Sequence, residues 1–193
     1  MELTFDFSEL EKKARRIGAS ADQVPYALAR SLNDAAEVTR SYLISSTWPS
    51  SVVVRNQSFL KAALTTKGAR ATKENQSVEI YDRLNRASLD EHAEGGVKTP
   101  RGDNLAIGGR NVRRGARGVV ASQRPKVLKN AFRKGDVIYQ RVGKNKLKLM
   151  YVLKPSAKIK KDVPFHEDFA RVMKSEIVKA LPKNVAIAMR TAR

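Results

Sequence analysis

The sequence predicts an α+β fold: a small antiparallel sheet packed by a long N-terminal helix and a C-terminal helix, with a long basic loop or arm. Residues 24 to 43 and 165 to 181 repeat apolar side chains every three or four positions, the period of a helix buried along one side. Residues 136 to 153 alternate apolar and polar side chains around a Gly- and Asn-containing turn, the pattern of a β-hairpin. Between Asn104 and Gly135 there is no acidic residue, while Arg110, Arg113, Arg114, Arg117, Arg124, Lys126, Lys129, Arg133 and Lys134 fall inside that stretch. Such a segment repels itself until something negative neutralises it.

The elements follow in chain order. Leu3, Phe5 and Phe7 alternate with Glu2, Thr4 and Asp6, the period of a short half-buried strand. Ser8 and Glu11 form a capping box for a brief basic helix that runs to Ile17 and stops at Gly18. Ser20 or Asp22 restarts a helix in which Val24, Leu28, Leu32, Ala35, Thr39 and Leu43 share one stripe, ending near Thr47. Pro25 sits in its first turn, where a missing N–H costs nothing, and Trp48 to Ser51 close it. This helix is expected to pack across a sheet. Val52 to Val54 lead into a single helical turn at Asn56 to Leu60, then a strand around Ala62 to Lys67. Ser77 to Tyr81 alternate as a strand, and Asp82 to Glu94 read as a polar helical turn ended by Gly95 and Gly96.

From Gly95 to Arg124 the composition is Gly, Arg, Asn and Pro with almost no apolar period, which describes an irregular loop or arm. Its arginines fit either a nucleic-acid clamp or a solvated arm that orders only against neighbouring subunits. The hairpin comes next, with strands over Asp136 to Val142 and Leu147 to Leu153 around a turn at Gly143 to Lys146. A Lys-rich stretch follows from Lys154 to Lys161, and Pro164 opens a last helix whose Phe165, Phe169, Val172, Met173, Ile177 and Leu181 share a face. Pro182 is expected to end or kink it, leaving a tail through Val185, Ile187 and Met189 that could dock on a neighbour. Residues 1 to 193 are taken as a single structural domain, with 95 to 134 as its basic arm.

Composition narrows the class further. Apolar residues make up 41% of the chain but aromatics only 6%, so the core rests on Leu, Val, Ile and Ala. There is no cysteine, which removes disulfides, thiolate metal sites and a Cys nucleophile. No apolar run approaches the roughly 20 residues that span a bilayer, and the first residues lack the pattern of a signal peptide. The chain is expected to be soluble and unexported, with no membrane partner.

Catalytic signals are sparse. His92 and His166 each lie beside carboxylates, yet neither stands in a spacing that places three donors around one metal ion. No serine lies in a Gly-x-Ser-x-Gly elbow. Gly108-Gly109-Arg110 and Gly115-Ala116-Arg117-Gly118 lack the Lys-Ser/Thr of a phosphate-binding loop. Acids are depleted where the basic charge lies, which argues against a two-metal nuclease. A non-enzyme without a cofactor is expected. With a net charge of +19, its partner should be a polyanion or an acidic protein surface. The basic region holds a single aromatic, Phe132, so sequence-specific nucleic-acid readout is not expected, whereas loose contact with a phosphate backbone is.

Three segments carry a resemblance. The helix Val24-Pro-Tyr-Ala-Leu-Ala-Arg-Ser-Leu-Asn33-Asp-Ala-Ala36 contains an Ala-Leu-Asn-x-x-Ala-like pattern. The run Val137-Ile-Tyr-Gln-Arg-Val-Gly-Lys-Asn-Lys-Leu147 is a hairpin, and Val163-Pro-Phe165 leads into the last helix. Together with the basic middle they resemble the phage minor tail proteins of the lambda Z type and the wider group of siphophage tail-completion and neck components, nearly end to end. The resemblance implies a structural subunit of a tail or neck, without catalytic residues, forming a ring most often of six around the DNA channel. Its partners would be further copies of itself and other phage tail, connector or portal proteins, with non-specific contact to genomic DNA. Its place would be the virion, after assembly in the host cytoplasm. Arg110 to Lys134 and Lys154 to Lys161, the latter through Lys158, Lys160 and Lys161, are the expected contact segments. The alternative is a basic nucleic-acid-binding protein of ribosomal or nucleoid type.

Overall fold

The computed structural model describes residues 8–17, 23–85, 89–100 and 102–191. The strand expected at Leu3 to Phe7 and the helix break at Gly18 to Asp22 lie outside the described residues. The fold class is α+β, and the chain divides into two compact units. One, mainly helical, comprises Met1–Val53, Gln57–Leu89 and Asp162–Arg193; the other, built on strands, comprises Val54–Asn56 and Asp90–Lys161.

In the helical unit, α1 (Ser8–Arg16) precedes α2 (Val24–Tyr42), and all six stripe residues from Val24 to Leu43 are buried. The chain stays helical beyond α2 through a π-helical turn at Leu43–Thr47 and a last turn, α3 (Trp48–Ser51). Pro49 lies in that last turn, has no N–H to give and would clash with the carbonyl four residues back in a regular helix, so the wider π turn just before it is a physical accommodation. The expectation that α2 packs across a sheet is corrected: its principal partner is the C-terminal helix α6 (Phe165–Thr191). Each helix carries a long apolar stripe, and two such stripes satisfy each other. Pro182 does not end α6, which runs on to Thr191 with Val185 and Ala188 buried, so those tail residues pack within the chain's own fold.

A second stripe of α2 organises the middle of the chain. Asn33, Glu37 and Arg40 recur at helical spacing and are polar. The Asn33 carboxamide donates to the Ala71 carbonyl and accepts from the Ala71 N–H, both at 2.9 Å. Glu37 accepts from the Thr66 hydroxyl at 2.8 Å. Arg40 donates to the carbonyls of Leu64 at 2.7 Å and Lys61 at 2.8 Å, satisfying groups at and just beyond the end of α4 (Gln57–Ala63). The expected strand at residues 62–67 is reduced to β1 (Leu64–Thr65), since α4 runs to Ala63, and that at 77–81 to its partner β2 (Tyr81–Asp82).

α5 (Leu89–Glu94), which leads into the sheet unit, ends at Gly95, whose φ of 78° is the left-handed conformation of a helix stop and whose N–H bonds back to the Glu91 carbonyl. A β-carbon there would sit 3.1 Å from the Lys161 nitrogen. The next strand, β3 (Gly96–Lys98), pairs with β10 (Ala157–Ile159). A four-stranded antiparallel sheet holds β4 (Leu105–Gly108), β9 (Leu147–Lys154), β8 (Val137–Arg141) and β7 (Ala131–Lys134) in that spatial order. Its central pair, β8 and β9, is the hairpin expected from sequence, closed by a Val142 N–H to Lys146 carbonyl bond and bulged opposite Ile138 and Tyr139. Residues 109–128, including the small ladder of β5 (Arg114–Gly115) with β6 (Gly118–Val119), cover one face. Val112 and Leu128 there pack with Met150 and Tyr151, while the Tyr151 hydroxyl donates to the Gln123 carbonyl at 2.6 Å.

Residues 95–134 are therefore not the irregular arm that composition suggests. They contain five strands and contribute both edges of the four-stranded sheet. Strands of four residues, Leu-Ala-Ile-Gly and Ala-Phe-Arg-Lys, are too short to show a period, and they form because the hairpin offers edges to be paired.

Candidate interface for an anionic partner

Charge is distributed unequally between the units. The sheet unit is 75 of the 193 residues yet holds 20 of the 38 Lys and Arg and only 5 of the 19 Asp and Glu, a net +15 against +4 for the helical unit. Between Asp103 and Asp162 the one acid is Asp136.

All twelve basic residues singled out from sequence lie in this unit and all are exposed. Arg110, Arg113, Arg114 and Arg117 belong to the segment that covers the sheet. Arg124, Lys126 and Lys129 occupy the turns before β7, and Arg133 and Lys134 lie on β7 itself. Lys158 is on β10, in the separate β3/β10 ladder, and Lys160 and Lys161 follow just after it. Two of the twelve also hold the backbone. Arg114 donates to the Gly108 carbonyl at 2.6 Å, and Arg133 donates to the Gly135 carbonyl at 2.7 Å while standing 3.7 Å from the Asp136 carboxylate. Burial pushes the Tyr151 phenol above its ordinary pKa, and the nearby Arg114 charge works against that shift.

The structure adds a group that the sequence reading left aside. Arg141, Lys144 and Lys148, from the hairpin, line an open groove of about 1020 Å³ together with Asn130, Phe132 and Gln140, and no acid lines it. Beside it the rings of Phe132 and Tyr139 stack, centroids 5.9 Å apart and planes 24° from parallel, and the Arg141 guanidinium lies 6.0 Å from the Phe132 centroid. The signal for β7, and hence for this pairing, was present in Gly135-Asp136. A Gly-Asp dipeptide between two short runs is a two-residue hairpin turn, and Gly135 takes the left-handed φ of 59° that such turns need.

No group of three His, Asp or Glu among the described residues is placed to hold a metal ion, and no helix among them is long and apolar enough to cross a membrane. The arrangement offers electrostatic attraction, hydrogen-bond donors and one exposed aromatic ring, Phe132. No protein family, curated protein or solved structure matches the chain.

Proposed function

We propose that the chain is a structural subunit of a bacteriophage tail or neck, acting in tail completion or head–tail joining and assembling as a ring, hexameric by resemblance, around the DNA channel. The observation that carries this reading is the concentration of net positive charge on the sheet unit. A ring subunit needs one part that packs as a scaffold and another whose charge suits DNA or an acidic neighbouring ring. The resemblance of residues 24–36, 137–147 and 163–165 to Z-type tail proteins supplies the specific assignment. In this role the protein is not an enzyme, needs no cofactor, and resides in the virion.

A second reading, a basic nucleic-acid-binding protein of ribosomal or nucleoid type, is favoured by the exposure of all twelve basic residues. Size-exclusion chromatography with light scattering on nuclease-treated protein, at low and high salt, separates the two. Ring-shaped species in electron micrographs that survive high salt support the tail assignment. A monomer that purified tails fail to recruit, and that binds duplexes with steeply salt-dependent affinity, overturns it in favour of the second reading.

A further inference from the structure

The face of the four-stranded sheet opposite the Tyr151 core carries exposed apolar side chains. Register places Phe132, Tyr139 and Leu149 side by side across three strands, with Arg141 paired to Leu147 next along. Phe132 is 37% exposed, Leu149 37% and Leu147 51%, a large apolar area for a surface this basic. A second copy of the chain is a poor occupant, because two surfaces from units of net +15 would repel. The occupant should be anionic and should also present flat apolar groups.

We infer that this face and the adjoining groove form a binding site for single-stranded nucleic acid, with unpaired bases stacking on the Phe132–Tyr139 surface and phosphates drawn to Arg141, Lys144 and Lys148. A sheet with an exposed Phe132 ring beside a half-buried Tyr139, flanked by cations, suits that ligand, since every base has a π-face and duplex bases are not available to stack. Arg141 serves both parts: its charge is available to a phosphate while its guanidinium, over the Phe132 ring, offers a further flat cationic group for a base to stack on. Among the described residues, none of Arg141, Lys144 and Lys148 forms a salt bridge with a carboxylate.

The test is fluorescence anisotropy of nuclease-treated full-length protein with labelled oligothymidylate, a duplex of equal length, and polyglutamate as an acidic polypeptide control. Oligothymidylate should bind tightest. Phe132→Leu should weaken it by about 5- to 150-fold, the range of losing one base stack, with an unchanged salt slope, and Phe132→Tyr should restore binding. Lys144→Gln with Lys148→Gln should instead flatten the salt slope by about 0.7 per phosphate lost. Circular dichroism confirms that each variant is folded. No oligothymidylate binding at low salt, less than a twofold effect of Phe132→Leu in a folded protein, or equal affinity for duplex or polyglutamate would each overturn the inference.

Discussion

Single residues join distant parts of the helical unit. The Thr47 hydroxyl donates to Asp168 at 2.6 Å and Arg171 donates to the other carboxylate oxygen at 2.7 Å, while Arg171 also reaches the Tyr42 hydroxyl. Burial is the largest influence on the Asp168 carboxyl and pushes its pKa up, but the Thr47 and Arg171 hydrogen bonds with the Arg171 charge outweigh it, leaving the group below its ordinary value. An acid depressed in the folded state contributes stability above the unfolded value, about 3.9, and that contribution is lost as pH falls through the folded value. Asp168→Asn should therefore flatten the fall in urea midpoint below about pH 4; an unchanged acid limb would refute the role. Asn33 makes a stronger claim on stability. Replacing it by Ala leaves the buried Ala71 backbone without its two partners, and should cost about 1–3 kcal/mol in urea unfolding. The buried Asn184 is held in a similar way, donating to Ser31 at 3.2 Å and Asp34 at 3.0 Å.

Among elements, α2 and α6 carry the helical unit. Leu32 and Met173 are 2% and 0% exposed, and truncation of either to Ala should cost about 2–5 kcal/mol, read as a lower thermal midpoint. Val38, also on α2 but 48% exposed, should tolerate Ala with little change. The apolar stripe of α2, the hairpin and the buried residues of α6 from Phe165 to Leu181 were legible in the sequence, because side chains repeating over five or more positions average out local noise; the polar stripe of α2 was not. The edge strands were not. Four residues show two side chains to each face, so β4 appears only when the hairpin supplies something to pair with, and β7 is signalled by its Gly135-Asp136 turn and not by its own period. Phe132, judged from sequence to be a lone aromatic, gains Tyr139 by the same pairing.

For the whole molecule the decisive property is charge. With +15 on the sheet unit, any complex with a phosphate backbone should weaken steeply as salt rises, the slope reporting the number of phosphates neutralised. Changing Arg113, Arg114 and Arg117 together to Glu separates the two uses of that charge. If the basic segment serves assembly, ring formation or recruitment to tails is lost while duplex binding persists; if duplex binding collapses with them, the segment serves nucleic acid. Arg114 alone has a structural share, through its bond to Gly108, so Arg113 and Arg117 form the cleaner pair should the triple variant misfold.

The sequence by itself determined the α+β class, the two long helices and their buried stripes, the hairpin, and the strong net positive charge, since periodicity and net charge are sums over many residues and survive without knowledge of contacts. Only the tertiary structure decided that α2 packs on α6, that Pro182 is carried inside a continuous helix, that residues 95–134 build sheet edges, and that Phe132, Tyr139 and Arg141 share an open face. Each of these depends on which distant segment meets which. A face can be recognised as buried or charged from one segment alone, but its partner is set by the fold.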